Sequence, residues 1–330
     1  MWLSVLKVMC AGFILRGVRI IKRLKMQQQL LTLEQGCELY LQDCRHRNLR
    51  EATIKHYQQS YKQLFKFFDT DMPLKQMTQD KYQGYIIYLS ERLNNDVSIN
   101  AYLRDLITTL RFLMSSEYLE PFKMQSIKVD KTAVKTYTEE ELTTLLKKPN
   151  IKKCSFTEYE CYVICNLLLS TGIRQHSLME LKISDVDTLN RLLHVRITKT
   201  RKPLIIPINP TMTDIFNEYL NHRQHTSNDD WLFCNVYGNK LNKSTCYHML
   251  YEYNKRRGVE TTGIHRYRHT FAKQWILSGG NVVVLSRLLG HSNLSTTQNY
   301  INLLTSDISR QVNEIDLLNK FTTKKFKKMR

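Results

Sequence analysis

Apolar residues recur at intervals of three and four through most of this chain, and that spacing restricts its fold more than any other feature. Leu33, Cys37, Tyr40 and Leu41 begin the series; Ile54, Tyr57, Tyr61, Leu64, Phe65 and Phe68 continue it. Tyr82, Tyr85, Ile86 and Leu89 form a third run, and Ile99, Tyr102, Leu103, Leu106, Leu110 and Leu113 a fourth. Residues spaced this way share one face of an α-helix. Asp69-Thr-Asp-Met-Pro73 and Asn94-Asn-Asp96 break the runs with turn-forming residues. The pattern predicts a four-helix domain over residues 31–120, with the aromatic stripes as its core.

Residues 121–136 are polar and poorly periodic, with Lys123, Lys128, Lys131 and Lys135, and read as a linker. Thr138-Glu-Glu-Glu141 then starts a new helix, a hydroxyl followed by carboxylates at the positive end of the helix dipole. A second, mainly helical domain is expected over 137–320. It contains one β signal: residues 192–198 alternate in polarity, and Leu204–Ile208 returns after a polar turn. That hairpin would present Lys199, Arg201 and Lys202 at its tip. The fold class is therefore mainly α with a small β-hairpin or sheet (α+β).

With 330 residues the chain has room for two such cores. Its 49 Lys and Arg against 30 Asp and Glu give a formal charge of +19, which points to a polyanionic partner. Residues 1–25 and 320–330 each hold six basic residues and no acid, so the body between them keeps +7. Within it, Arg47, Arg50 and Lys55 are candidate contacts to a nucleic-acid backbone, along with Arg201 and Lys202. The eight cysteines include no C-x-x-C pair and read as buried core residues in a reduced, cytoplasmic compartment. Cys161 and Cys165 lie one helical turn apart, but core packing is favoured over metal ligation. The apolar run Trp2–Leu15 is too short to span a membrane. Residues 1–30 read as a basic, apolar extension, the first 25 being either a translated upstream stretch or an amphipathic surface anchor. Residues 321–330 read as a basic tail.

The chemistry lies in dispersed residues. Arg174 stands in Thr171-Gly-Ile-Arg174, His265 and Arg268 in His265-Arg-Tyr-Arg268, and His291 follows Gly290 nine residues before Tyr300. Phosphodiester cleavage needs a nucleophile, positive charge on the nonbridging oxygens and a proton for the leaving oxygen. Guanidiniums present forked donors that match phosphate and do not deprotonate, which suits Arg174 and Arg268. His265 and His291 can donate hydrogen bonds or handle the tyrosine proton. Tyr300 can form the covalent bond, and a hairpin lysine can protonate the leaving oxygen. No metal and no cofactor is then required. His269, beside Arg268, is read as a residue that either packs in the core or supports the site residues from behind. Any one of these residues alone is weak: with 18 tyrosines in the chain, most are core or interface rings.

In order and context, however, Thr171-Gly-Ile-Arg174, His265-Arg-Tyr-Arg268-His-Thr-Phe-Ala272 and Leu288-Leu-Gly-His-Ser-Asn-Leu-Ser-Thr-Thr-Gln-Asn-Tyr300 resemble the three signature boxes of the tyrosine recombinases, the phage integrase, Xer and Cre family. The hairpin turn Ile197-Thr-Lys-Thr-Arg-Lys-Pro203 resembles the one that carries the family's lysine. The resemblance covers about residues 31–320. It implies a helical SAM-like core-binding domain followed by a recombinase catalytic domain. Arg174 and Arg268 would clamp the phosphate, Lys199 (with Lys202 close by) would be the leaving-group acid, His265 and His291 would assist, and Tyr300 would be the nucleophile.

The implied partners are double-stranded DNA with a specific core site, three further copies in a homotetramer on synapsed DNA, and an accessory directionality factor, with no membrane. The enzyme would work in the cytoplasm on nucleoid DNA, integrating, excising or resolving a mobile element. Residues 307–321, with Ile308, Val312, Ile315 and Leu318, would form an amphipathic helix that docks on a neighbour or folds back on its own domain. The space before residue 31 suits no arm-binding domain. Many relatives carry an acid three positions after the first arginine; here Ser177 stands there, with Glu180 and Asp185 as alternative buttresses. The rival readings are a type IB topoisomerase-like DNA relaxing enzyme and a catalytically silent DNA-binding protein.

Overall fold

Thr32 sets the start of the first helix by a reciprocal cap: its hydroxyl accepts the Gln35 N–H while the Gln35 side chain accepts the Thr32 N–H. Helix α1 (Leu33–His46) follows, then α2 (Glu51–Leu64), α3 (Gln79–Arg92) capped by Thr78, and α4 (Asp96–Ser115) capped by Asn95. The computed structural model describes residues 31–129, 135–198, 201–260 and 262–291. These fall into two units divided between Lys131 and Thr132.

The four helices are the four periodic runs, and their apolar stripes meet in one core. Leu33, Tyr40, Leu64, Tyr85, Leu103 and Leu110 are among its buried members. Buried polar atoms inside it are satisfied: the Tyr61 and Thr109 hydroxyls lie 2.7 Å apart, and Ser60 donates to Asp105, which also meets His56 Nε2 at 3.0 Å. Residues 121–129 form no helix or strand yet lie on this unit. Tyr82 donates its hydroxyl to the Gln125 carbonyl, the Asn100 amide brackets the Ile127 backbone, and Phe122, Met124 and Ile127 pack against the core. Arg47 is paired with Asp43 at 2.9 Å, Arg50 is the N-cap of α2, and Lys55 is exposed.

In the second unit Thr138 and Glu141 form the expected capping box of α5 (Glu139–Leu145). Helix α6 (Phe156–Thr171) is apolar on nearly every face and runs through the core, packed by α8 (Pro210–His222), α9 (Lys243–Arg256) and α10 (Ile264–Leu277). Between α6 and α8 come the short α7 (Gln175–Met179) and an antiparallel sheet. Its strands are β1 (Val186–Asp187), β2 (Leu192–Val195) and β3 (Leu204–Pro207), in that order, with Val195 opposite Leu204 and Leu193 opposite Ile206. The hairpin is thus present, with β2 ending before Arg196 and a third strand too short to leave a periodic trace. Helix α11 (Val282–Leu288) closes the described chain.

Among the described residues six cysteines are buried, Cys37, Cys44, Cys161, Cys165, Cys234 and Cys246, and Cys154 is half-buried. Among the described residues no helix is long and apolar enough to cross a membrane, and no three His, Cys, Asp or Glu side chains gather as a metal site. Lys199, Tyr300, residues 1–30, the helix expected at 307–321 and the tail 321–330 lie outside the described residues.

Candidate active site

Helix α6 stops at Gly172, which adopts φ +61° and reverses the chain into α7. A Cβ there would lie 2.6 Å from Phe271 Cδ1 and 2.8 Å from Leu289 Cδ2, so glycine is required by space as well as by conformation. The turn delivers Arg174 as the N-cap residue of α7 and aims the Gly172 carbonyl at α10.

That carbonyl accepts from Arg268 Nη1 at 2.6 Å. Arg268 is buried, and its Nη2 donates to the Leu289 carbonyl at 2.8 Å and lies 2.7 Å from His291 Nε2. Arg174 Nη2 in turn donates to the Gly290 carbonyl at 3.2 Å. Arg174 and His291 are 117 residues apart in the chain, and three separate motifs are locked together through arginine-to-carbonyl bonds. A buried guanidinium is costly unless its donors are used, and these carbonyls use them while fixing the plane of the fork.

The protonation of the histidines follows. A guanidinium only donates, so His291 Nε2 must accept from Arg268 and the ring proton sits on Nδ1. Burial first, then the charges of Arg268 and Arg174, push the His291 pKa down to about 4. His265, on the first turn of α10, is lowered by desolvation and then by Arg268, Lys243 and Arg174. His269 is lowered by desolvation, then His265 and Arg268. At neutral pH all three are neutral imidazoles beside permanent cations.

Arg174, Arg268 and His291 line one side of an open cavity of about 590 Å³, with Ser177, Thr198 and Lys202 also on its wall. Thr198 donates its hydroxyl to the Lys202 carbonyl at 2.6 Å, which ties the two ends of the hairpin turn. Lys202 and Arg201 are exposed, and Arg201 holds a left-handed backbone, φ +59°. Ser177 is buried at the site where many relatives carry an acid. The two alternative carboxylates are engaged elsewhere: Glu180 takes Lys240 at 2.5 Å, and Asp185 takes Arg196 at 2.6 Å and the Lys182 N–H. Among the described residues, backbone carbonyls accept from both arginines.

Of the residues singled out in the sequence, Arg174, Arg268, His291 and Lys202 share this cavity, and His265 stands within electrostatic reach of both arginines. Lys199 and Tyr300 belong to the neighbouring stretches outside the described residues. Lys243, at the start of α9, was not singled out, and only its charge marks it in the sequence. Two guanidiniums, neutral imidazoles and a lysine around open space suit a phosphodiester whose nonbridging oxygens gain charge during reaction.

Comparison with known proteins shows the family. Residues 135–306 match the phage integrase family, and residues 37–129 match the phage integrase SAM-like domain. The chain is 33% identical over 225 residues to tyrosine recombinase XerA of Pyrococcus furiosus, covering 67% of this chain and 75% of that protein. It is 30% identical over 276 residues to tyrosine recombinase XerC of Thermodesulfovibrio yellowstonii, covering 78% and 89%. Among solved structures, the Tn1549 transposon integrase in complex with transposon right end DNA superposes with a TM-score of 0.72 at 20% identity, covering 86% of this chain and all of that one. A lambda integrase dimer bound to a COC′ core site gives 0.65 at 16% identity, covering 81% and 97%.

Proposed function

Because the chain belongs to the phage integrase family, we propose how its own residues carry out the family's reaction. It is a tyrosine recombinase, an enzyme that cuts and rejoins DNA at specific sites. The observation that carries the assignment of its site is the interlock of Arg174, Arg268 and His291 around one cavity.

In this reading Arg174 and Arg268 hold the nonbridging oxygens of the scissile phosphate. The Tyr300 phenol oxygen attacks phosphorus; its P–O bond forms as the bond to the 5′ oxygen breaks, leaving a 3′-phosphotyrosine and a free 5′ hydroxyl. The phenol proton passes to His265, whose lowered pKa leaves its imidazole neutral at pH 7, while the Nδ1–H of His291, whose Nε2 is taken by Arg268, can donate to a phosphate oxygen. Lys199 gives a proton to the departing 5′ oxygen, with Lys202 as the adjacent alternative. Attack of a 5′ hydroxyl on the phosphotyrosine reverses every bond change, so the ester energy is kept and no cofactor is consumed. Residues 31–120 would act as the core-DNA-binding domain, with Arg47, Arg50 and Lys55 on the backbone, and residues 137–320 as the catalytic domain.

The related integrases captured on DNA support double-stranded DNA with a core site as the partner. Recombination would join two sites in a tetramer on nucleoid DNA, with an accessory factor setting direction. Relaxation of arbitrary DNA by a type IB topoisomerase-like activity is not favoured by the relatives.

The test uses a plasmid with two copies of the site, obtained by enriching random duplexes on the full chain. Site-dependent recombination that survives EDTA is expected; relaxation of site-free plasmid at the same rate would contradict it. A bridging 5′ sulfur at the scissile position needs no acid to leave. It should restore cleavage by Lys199→Ala, and restoration for Lys202→Ala instead would move the role to Lys202.

A further inference from the structure

We propose that Tyr137 is a positioning residue for the recombination reaction: together with Thr270 it braces α10 from behind and holds Arg268 and His265 in register with the cavity. The inference rests on the roles given to Arg268 and His265 above. An α-helix advances about 100° per residue, so His265 and Arg268 share one face of α10 while Arg266, Tyr267 and Thr270 occupy the opposite face. Tyr137 touches all three of the latter. Its backbone N–H donates to the Thr270 hydroxyl at 2.9 Å, its ring lies 4.6 Å from the Tyr267 ring, and the Arg266 guanidinium sits over it at 5.4 Å. The Tyr137 hydroxyl accepts from Asn254 at the end of α9, 3.2 Å away.

The brace is needed because the helix start is weakly held. Gly263 precedes α10 with φ +145° and no side-chain cap, so the first turn, which carries His265, has no terminal lock of its own. Arg268 must also reach three acceptors at once, on two different segments. A small rotation of α10 would lengthen all of these bonds together. Tyr137 is 3% exposed, Tyr267 1% and Thr270 fully buried, so the contact is a packed one with no solvent to absorb movement. Tyr267 adds a second anchor by donating to Cys165 on α6 at 3.0 Å.

The experiment measures, for the full chain, single-turnover formation of the covalent adduct on a nicked duplex carrying the enriched site, with DNA affinity measured separately. Tyr137→Leu keeps the backbone donor but loses the ring and hydroxyl contacts; Thr270→Val removes the acceptor; Thr270→Ser keeps it. We expect the cleavage rate constant to fall about tenfold in the first two variants at unchanged DNA affinity, with Thr270→Ser close to the parent. Parent-like rates in Tyr137→Leu and Thr270→Val would overturn the proposal. So would rate and DNA affinity falling in step with melting temperature, or a serine variant no better than valine. If Tyr137→Leu does not fold, the two Thr270 variants decide alone. Arg268→Ala serves as the companion: a parent-like rate there would remove the site assignment itself, and the inference with it.

Discussion

Among its described residues the second unit buries two guanidiniums in similar ways and surrounds them differently. Arg223, at the end of α8, donates to the Leu232, Gln224 and Trp231 carbonyls and to the Cys234 thiol. Arg268 donates to the Gly172 and Leu289 carbonyls and to His291. Both are less than a tenth exposed. Beside Arg223 lie the buried Glu160, whose carboxyl is pushed up to about 7 by burial, and a cavity of about 270 Å³ with no second guanidinium on its described wall. Beside Arg268 lie Arg174, a neutral His291 and a cavity twice that size. Carbonyl ligation makes burial of a cation tolerable in both places. What sets the surroundings of Arg268 apart from those of Arg223 is a second cation and room for an anion.

The sharpest way to break this contrast is to remove each arginine in turn. Arg268→Ala should slow adduct formation roughly 100–1,000-fold, the scale of a lost transition-state donor. Arg223→Ala should cost about 3 kcal/mol in urea unfolding and leave the rate of the folded fraction within a few-fold. Equal loss of rate in both would erase the distinction. Gly172→Ala tests the carbonyl scaffold itself. Its strained backbone and the clash with Phe271 and Leu289 should destabilise by about 1–3 kcal/mol and slow cleavage as well. Loss of stability with an unaffected rate would detach the Gly172 carbonyl from catalysis.

A pH series sharpens the electrostatic side. The folded-state pKa of His291 lies below its ordinary value of 6.5, so its contribution to stability is present above about 6.5 and is lost as pH falls toward about 4. His265 and His269 act in the same direction. Glu160 runs the other way: its stabilising neutral form is present below its ordinary value of 4.5 and is lost as pH rises through about 7. His291→Phe should therefore flatten the acid side of the melting-temperature profile, and Glu160→Gln the side near neutrality. An acid limb unchanged in His291→Phe would contradict its neutral state. The smallest effect is expected from Ser177→Asp, which places a carboxylate on the cavity wall. It should raise the His291 pKa and change the cleavage rate only a few-fold, because the carbonyls already hold the arginines. A gain of a hundredfold would show that the carbonyl scaffold is a poor substitute.

Much of this architecture could be read before any coordinates. Four apolar stripes gave α1 to α4 because each helix buries a single face, and the alternation around Leu193 and Val195 marked the hairpin. Arg174, His265, Arg268 and His291 were singled out through their local motifs. The acceptors that organise them were not, since a backbone carbonyl has the same signature at every position; only Gly172, sitting just past a helix, hinted at a left-handed turn. Arg223 escaped notice because a lone arginine is usually exposed, and its burial depends on a loop, Trp231 to Cys234, with no periodic pattern. The wall at Phe122, Met124 and Ile127 was missed for a similar reason, as three apolar residues in a basic stretch look like a linker until they find a core.

The most direct test is to trap the broken strand. A nicked duplex bearing the enriched site, incubated with the full chain in EDTA and digested, should yield a peptide ester-linked to the 3′ phosphate through Tyr300, and Tyr300→Phe should bind the same DNA without forming it. An undiminished adduct in that variant, or a linkage through any other residue, would contradict the account.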